Sequence, residues 1–290
     1  MSRIGVVIPT LNAGSQFHKL LEQIDSQTCP IACKLIMDSS STDDTREVAV
    51  QHGFKVILRH REDFNHGQTR ALAFSCLKGQ VDFLIYITQD ILLADTKSFQ
   101  HLVDGLDNNM DAGAAYGRQL PHLGASPGAQ LQRMFNYPEE KCVKSFEDRE
   151  RFGIKTAFLS DSFAAYRCSA LESVGSFPEV IACEDMYVGA KMLIQGYKIV
   201  YEPLACVYHS HDYTWKENFQ RYYDTGVFHK QEPWINATFG GNEKEGIRML
   251  RYQLKAAYMM GGWKLVLELF GDSCVRYLAY RCGKLWGKMR

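Results

Sequence analysis

Ile4-Gly5-Val6-Val7-Ile8-Pro9-Thr10-Leu11-Asn12 decides the architecture. A short run with no polar interruption, stopped by a proline, has the pattern of a strand buried on both faces, as strands of parallel sheets are. Outward from it, Phe17, Leu20, Leu21 and Ile24 recur at helical spacing. Residues 33–37 form a second apolar run, ending in Asp38-Ser39-Ser40-Ser41-Thr42-Asp43-Asp44, a cluster of turn and capping residues. The pattern predicts a helix over 44–51 capped by Gly53, a strand over 55–58, and a helix over 69–77 ended by Gly79. A strand over 83–87 follows, closed by Thr88-Gln89-Asp90. This alternation predicts an α/β fold with a mostly parallel central sheet and helices on both faces. Ligands of such sheets bind beyond the carboxyl ends of the strands, where residues 9–12, 38–44 and 88–90 fall.

The second half is less regular. Residues 118–150 read as a polar loop with short helices, 157–166 and 198–201 as strands, and 186–195 as a helix ended by Gly196. At about Gly246 the composition shifts. Residues 246–290 carry nine Lys/Arg (248, 251, 255, 264, 276, 281, 284, 288, 290) against Glu268 and Asp272, a net +7, so residues 1–245 carry −7. Aromatic and aliphatic residues share the tail with these charges at helical spacing. Such a helix suits an anionic membrane surface, and it equally suits packing on the domain.

The chain has 290 residues, 46% of them apolar, and a formal net charge of zero. A core is affordable, and a general nucleic-acid coat is excluded. No apolar run approaches the ~20 residues of a membrane span, and the N-terminal run is too short for a signal peptide, so a cytoplasmic chain is expected. Nine irregularly spaced cysteines without a C-x-x-C predict reduced, mostly buried thiols.

Asp38 ends a buried strand ahead of the cap, placed to accept a hydrogen bond from a nucleobase. Capping alone explains Thr42, Asp43 and Asp44. In the segment 63–70, containing His66 and Gly67, Arg70 stands in the first turn of a helix, where a cation calls for a nearby anion; a diphosphate is one, and a surface salt bridge is the plain alternative. Asp90 is placed to hold a hard divalent cation, and one carboxylate calls for further ligands. Glu184-Asp185 stands before a helix in an apolar context, either as a dipole complement or as a general base. His209 and His211, two apart on an extended segment, face the same way.

Residues 6–12, 37–45, 88–90 and 184–185 resemble, in order and spacing, glycosyltransferase family 2. Phe64-Asn65-His66-Gly67-Gln68-Thr69-Arg70 and Tyr208-His209-Ser210-His211-Asp212-Tyr213-Thr214 are similar to its bacterial rhamnosyltransferase branch, which builds O-antigen and capsule polysaccharides. The resemblance covers about residues 3–230. It implies a GT-A (Rossmann-like) domain over 1–245, with a nucleotide-sugar half of about 1–117 and an acceptor half of about 118–245, followed by the basic amphipathic tail 246–290. It also implies roles. Pro9, Thr10, Asn12, Asp38, Arg70 and Gln89 bind the nucleotide; Asp90 and His209 hold Mg2+ or Mn2+, with His211 and His66 as further candidates. Asp185 is the base that deprotonates an acceptor hydroxyl, and Glu184 assists. The implied partners are a nucleotide-sugar donor, dTDP-rhamnose in the favoured reading, and a lipid-linked glycan acceptor. The tail lies outside the resemblance; a peripheral contact through it at the inner face of the cytoplasmic membrane is one of its two readings, packing on the domain the other, and no nucleic acid is expected as a partner. Thr88 departs from the general family, which has an acid there. A UDP-sugar donor, a nucleotidyltransferase and a non-catalytic glycan-binding module stay open as alternatives.

Overall fold

The computed structural model describes residues 2–287; Lys288 and Arg290 of the basic tail lie outside them. The first half alternates as expected: β1 (Ile4–Thr10), α1 (Ser15–Asp25), β2 (Ile31–Asp38), α2 (Thr45–Gln51), β3 (Lys55–Leu58), α3 (His66–Leu77), β4 (Phe83–Ile87), β5 (Leu92–Leu93) and α4 (Ser98–Asp107). The second half holds β6 (Ala112–Leu120), α5 (Pro127–Asn136), β7 (Cys142–Lys144), α6 (Arg149–Phe152), β8 (Phe163–Arg167), α7 (Cys168–Ser173), α8 (Glu184–Ile194) and β9 (Lys198–Tyr208). Three helices close the chain: α9 (Trp215–Gln231), α10 (Pro233–Phe239) and α11 (Asn242–Trp286).

The strands form one sheet in the order β3-β2-β1-β4-β8-β6-β9-β5, with β7 on β9. β3, β2, β1 and β4 are parallel; β8 runs antiparallel between β4 and β6. Alternation puts Val7, Leu35, Met37, Leu84 and Tyr86 into one core and Val6, Ile8, Ile36, Phe83 and Ile85 into another, one on each face. The carboxyl ends of β1, β2 and β4 meet at one edge, with Thr10 opposite Asp38. Because β8 is antiparallel, its entry, residues 160–162, reaches that same edge opposite Ile87. β9 runs parallel to β6 and brings His209 there too.

Several boundaries differ from the sequence reading. The predicted strand over 157–166 is shorter and later. Ala157 closes a 3-10 turn, and the polar Ser160-Asp161-Ser162 delays the strand to Phe163. β9 continues past Tyr201 because Pro203-Leu204-Ala205 is accommodated as an irregularity, where Gly117 faces Glu202 and the next residue, Arg118, faces Cys206. α8 begins at Glu184, so both acids lie in its first turn rather than before it. Residues 118–150 are more ordered than a loop, since they contain α5 and β7. The 245/246 boundary falls inside α11, which packs on α9 and α5. All nine cysteines are free, but only Cys29 and Cys168 are buried, and Cys274 is exposed.

Candidate active site

A cavity of about 600 Å³ opens at the edge where the strands end. Its walls combine the Thr88–Asp90 turn, residues 158–162 ahead of β8, the start of α8, and faces of α5 and α9.

On one side Asp90, His209 and His211 offer three ligand atoms within 4.8 Å of one another. The two Nε2 atoms are 2.9 Å apart, and Asp90 Oδ2 is 3.2 Å from His211 Nε2. His209 Nδ1 lies 2.9 Å from Gln119 Oε1, which accepts its hydrogen and turns the Nε2 lone pair towards the group. Burial lowers the His209 imidazole pKa to about 4, against the pull of Asp90, so the ring is neutral near pH 7. Asp90 Oδ1 is buried without a hydrogen-bond donor. Two imidazoles and one carboxylate with an orphaned oxygen form a donor set that fits a divalent cation. His211, a secondary candidate from sequence, thus joins Asp90 and His209.

On the other side Arg70, only 4% exposed, is clamped between two acids: Nε lies 2.8 Å from Asp161 Oδ2 and Nη1 lies 2.9 Å from Glu184 Oε1. The expectation that Arg70 grips a diphosphate meets a guanidinium already neutralised by protein carboxylates. His66 is exposed at the rim, its Nδ1 3.4 Å from Arg70 Nη1. Gly67 permits this arrangement, since a Cβ there would stand 1.8 Å from the Pro178 carbonyl oxygen on the approach to α8. Cys183, with φ 62°, turns the chain into α8 and aims both acids at the cavity.

Asp185 differs from its neighbours. Its Oδ1 accepts from the Met186 N–H at 2.7 Å and its Oδ2 from the Asp161 N–H at 3.3 Å. Among the described residues no cation lies within 4 Å of it. Burial first, then Glu184 and Asp161, raise its carboxyl well above the usual range. Burial, resisted by Arg70 and reinforced by Glu184, pushes Asp161 up to about 6. Asp161 also accepts from the Tyr166 hydroxyl at 2.5 Å. One arginine for three carboxylates leaves Asp185 as the basic member.

The residues other than Arg70 expected to bind the nucleotide lie at the same edge, outside the cavity. Asp38 is wholly buried; it accepts from Thr10 Oγ1 at 2.9 Å, from the Ser41 hydroxyl at 2.5 Å and from the Ser41 N–H at 2.9 Å. Its carboxylate therefore organises the turn from within rather than presenting itself to a base. Gln89 is engaged by Leu11, accepting from its N–H at 2.8 Å and donating to its carbonyl at 3.1 Å. Pro9 is half-buried and Asn12 is exposed; Asn12 adopts φ 46° and accepts from the Thr42 N–H at 2.8 Å.

Sequence reasoning places the segments 118–150 and 160–167, which hold Gln119, Arg133 and Asp161, near the acceptor but assigns these residues no contacts, and it missed Arg221. Arg133 and Arg221 line the cavity, and neither has a carboxylate within 4 Å among the described residues. Arg221 donates to the Tyr213 hydroxyl at 2.6 Å, and Tyr213 stacks on His211 with ring centroids 4.9 Å apart. The signal available for Asp161 was a polar triplet, Ser160-Asp161-Ser162, set between two apolar runs; no comparable signal marks the others.

Comparison with known proteins bears on the family and the fold. O-antigen chain rhamnosyltransferase WbaN of Salmonella anatum is 39% identical over 288 residues, covering 99% of this chain and 90% of the relative. O-antigen chain rhamnosyltransferase RfbN of Salmonella typhimurium is 41% identical over 286 residues, covering 98% and 90%. The solved structure of mannosyltransferase PcManGT from Pyrobaculum calidifontis, in complex with GDP-Man and Mn2+, superposes with a TM-score of 0.68 over 99% of this chain and 88% of that one, at 15% identity. That likeness shows the fold, the expected GT-A arrangement. The family model "Glycosyl transferase family 2" matches residues 5–175, and the chain belongs to that family.

Proposed function

We propose that this chain is an inverting rhamnosyltransferase of bacterial surface polysaccharide synthesis, moving L-rhamnose from dTDP-rhamnose to a hydroxyl of a lipid-linked or oligosaccharide acceptor. Near full-length similarity to two proteins named O-antigen chain rhamnosyltransferases supports the sugar and the setting. A cytoplasmic location, where nucleotide sugars are made, belongs to the same reading. The observation that carries the chemistry is Asp185, a carboxylate of raised basicity without a cation of its own, in the cavity that also holds Asp90, His209 and His211.

The acceptor hydroxyl attacks the anomeric carbon from the face opposite the diphosphate. Asp185 takes the hydroxyl proton, while the bond to the diphosphate oxygen breaks and its electron pair leaves with the nucleotide. One displacement inverts the configuration, so no nucleophilic serine or cysteine is needed. Asp161 and Glu184, tied to Arg70, hold the start of α8 in place. Arg133 and Arg221 face the charge that builds on the leaving group. Asp90, His209 and His211 would hold Mg2+ or Mn2+, which would supply further neutralisation of that charge. Pro9, Thr10, Asn12 and Asp38 shape the nucleoside side, Asp38 through the turn it braces.

The test offers the purified protein dTDP-rhamnose and a set of UDP-sugars with Mg2+ or Mn2+, with and without EDTA, and records binding and donor hydrolysis. Selective, EDTA-sensitive engagement of dTDP-rhamnose is expected. Preference for a UDP-sugar replaces the donor, and engagement of none overturns the reading in favour of a glycan-binding module.

A further inference from the structure

The tail combines the two roles open at the sequence level, one on each side of α11. Towards the domain, Leu269, Ala279, Tyr280 and Gly283 are buried, and Ala257 and Leu269 close on Leu131 of α5. The opposite side is left uncovered. At Gly262, φ 64° and ψ −157° break the helix into two arms. Around this elbow Tyr258 is 54% exposed, Met259 82%, Trp263 70%, Leu267 68% and Phe270 49%. Few soluble surfaces concentrate so many large apolar side chains within thirteen residues.

Charge is arranged around the same elbow. Along the first arm Arg248, Arg251 and Lys255, all exposed, follow one another at three- and four-residue spacing and lead to Tyr258 and Met259. Lys264 stands beside Trp263, and the outer face of the second arm runs through Tyr277 and Leu278 to Arg281. Long cationic side chains beside aromatic rings fit the headgroup layer of an anionic bilayer, where rings sit at the acyl boundary and cations meet lipid phosphates. A second copy of the chain is the poorer occupant, since a two-fold pairing brings the same cationic stripe against itself. No helix among the described residues is long and apolar enough to cross a membrane, so the contact is interfacial.

We infer that the Gly262 elbow docks on an anionic lipid surface, with Tyr258, Met259, Trp263 and Leu267 entering the interface and Arg251, Lys255 and Lys264 meeting lipid phosphates. The contact is independent of the identity of the donor sugar. It brings α9 and α5, which bear Arg221 and Arg133 of the cavity wall, close to the bilayer, since both pack against α11.

The test is co-sedimentation of the full chain with vesicles of phosphatidylethanolamine and phosphatidylglycerol, and with phosphatidylcholine alone. Expected are binding to the first, at least tenfold weaker binding to the second, and weakening of the first by raised salt. The variant M259S/W263S/L267S changes exposed side chains only; it is expected to keep the wild-type melting temperature and lose binding at least tenfold. R251E/K255E is expected to lose binding to the anionic vesicles. Absence of wild-type sedimentation, or undiminished binding by the apolar variant, overturns the inference. A concentration-dependent dimer in sedimentation velocity that M259S/W263S/L267S abolishes overturns it in favour of a second copy. Donor binding in the same preparations reports separately on the glycosyltransferase reading.

Discussion

At residue scale the site turns on how one guanidinium is shared. Arg70 neutralises Asp161 and Glu184, and the remaining carboxylate, Asp185, is held by backbone N–H groups alone. Asp185→Asn is expected to lower kcat by ~10²–10⁴-fold, while calorimetry shows dTDP binding unchanged. The wild-type pH–rate profile should fall on the acid side over a range above that of an ordinary carboxylate, because the base must be unprotonated to act and its carboxyl is raised. That acid limb should vanish from the residual rate of the variant. Neither ion pair was legible beforehand, since Arg70 meets partners far along the chain. Asp185 was legible because two acids at a helix start form a local pattern. Lys144 offers a second check. It is 4% exposed and donates to the carbonyls of Lys155 at 3.0 Å and Phe158 at 2.6 Å, and burial lowers its pKa from 10.5 to about 7. Between those values the unfolded chain binds a proton that the folded chain releases, so stability rises with pH. Urea titrations should show wild type gaining on Lys144→Met from pH 7 to pH 9, and a constant difference would refute the assignment.

At the scale of elements, the C-terminal edge of the sheet gathers the chemistry, and α9 and α11 hold one wall of it. These helices touch backbone to backbone. A Cβ on Gly226 would stand 2.2 Å from the Tyr280 carbonyl oxygen, and one on Gly283 would stand 2.0 Å from that of Tyr223. Gly226→Leu should force the helices apart, costing at least the ~1–3 kcal/mol typical of overpacking in denaturant titration and weakening donor binding through displaced Arg221. The candidate cation site spans elements as well, with Asp90 after β4 and both histidines after β9. His209→Ala should reduce Mn2+ affinity at least tenfold in a titration of the ion alone, and unchanged affinity would remove it from the ligand set. Strands β1 to β4 were readable because each holds a short apolar run followed by polar residues. The start of β8 and the end of β9 were not, because Asp161 is a polar residue taken into the interior and Pro203 is absorbed where the pairing is irregular.

At the scale of the molecule, α11 is part of the fold. It covers Leu131 and the Gly226 side of α9, so removal of residues 246–290 uncovers buried surface as well as the exposed elbow. The truncated chain is expected to lose its single cooperative melting transition and to aggregate, whereas the elbow variants melt as wild type does. Composition announced the tail without revealing which side faces the domain, for its apolar residues lie on both sides of the helix. The sheet is likewise built from two kinds of pairing. β1, β2 and β3 pair with neighbours close in sequence, and every later strand pairs over longer spans. Seventy-five residues separate Ile87 from Phe163, the partners that begin the β4–β8 ladder. A ribosome adding roughly 5–20 residues per second needs about 4–15 s to cross that gap. For that interval the nascent chain displays Phe83-Leu84-Ile85-Tyr86-Ile87 with one edge unpaired, an adhesive strip that other emerging chains can zip onto. Slower elongation through residues 88–162 lengthens the exposure, so the yield of soluble protein should depend on translation speed there, even among genes encoding the same amino acids.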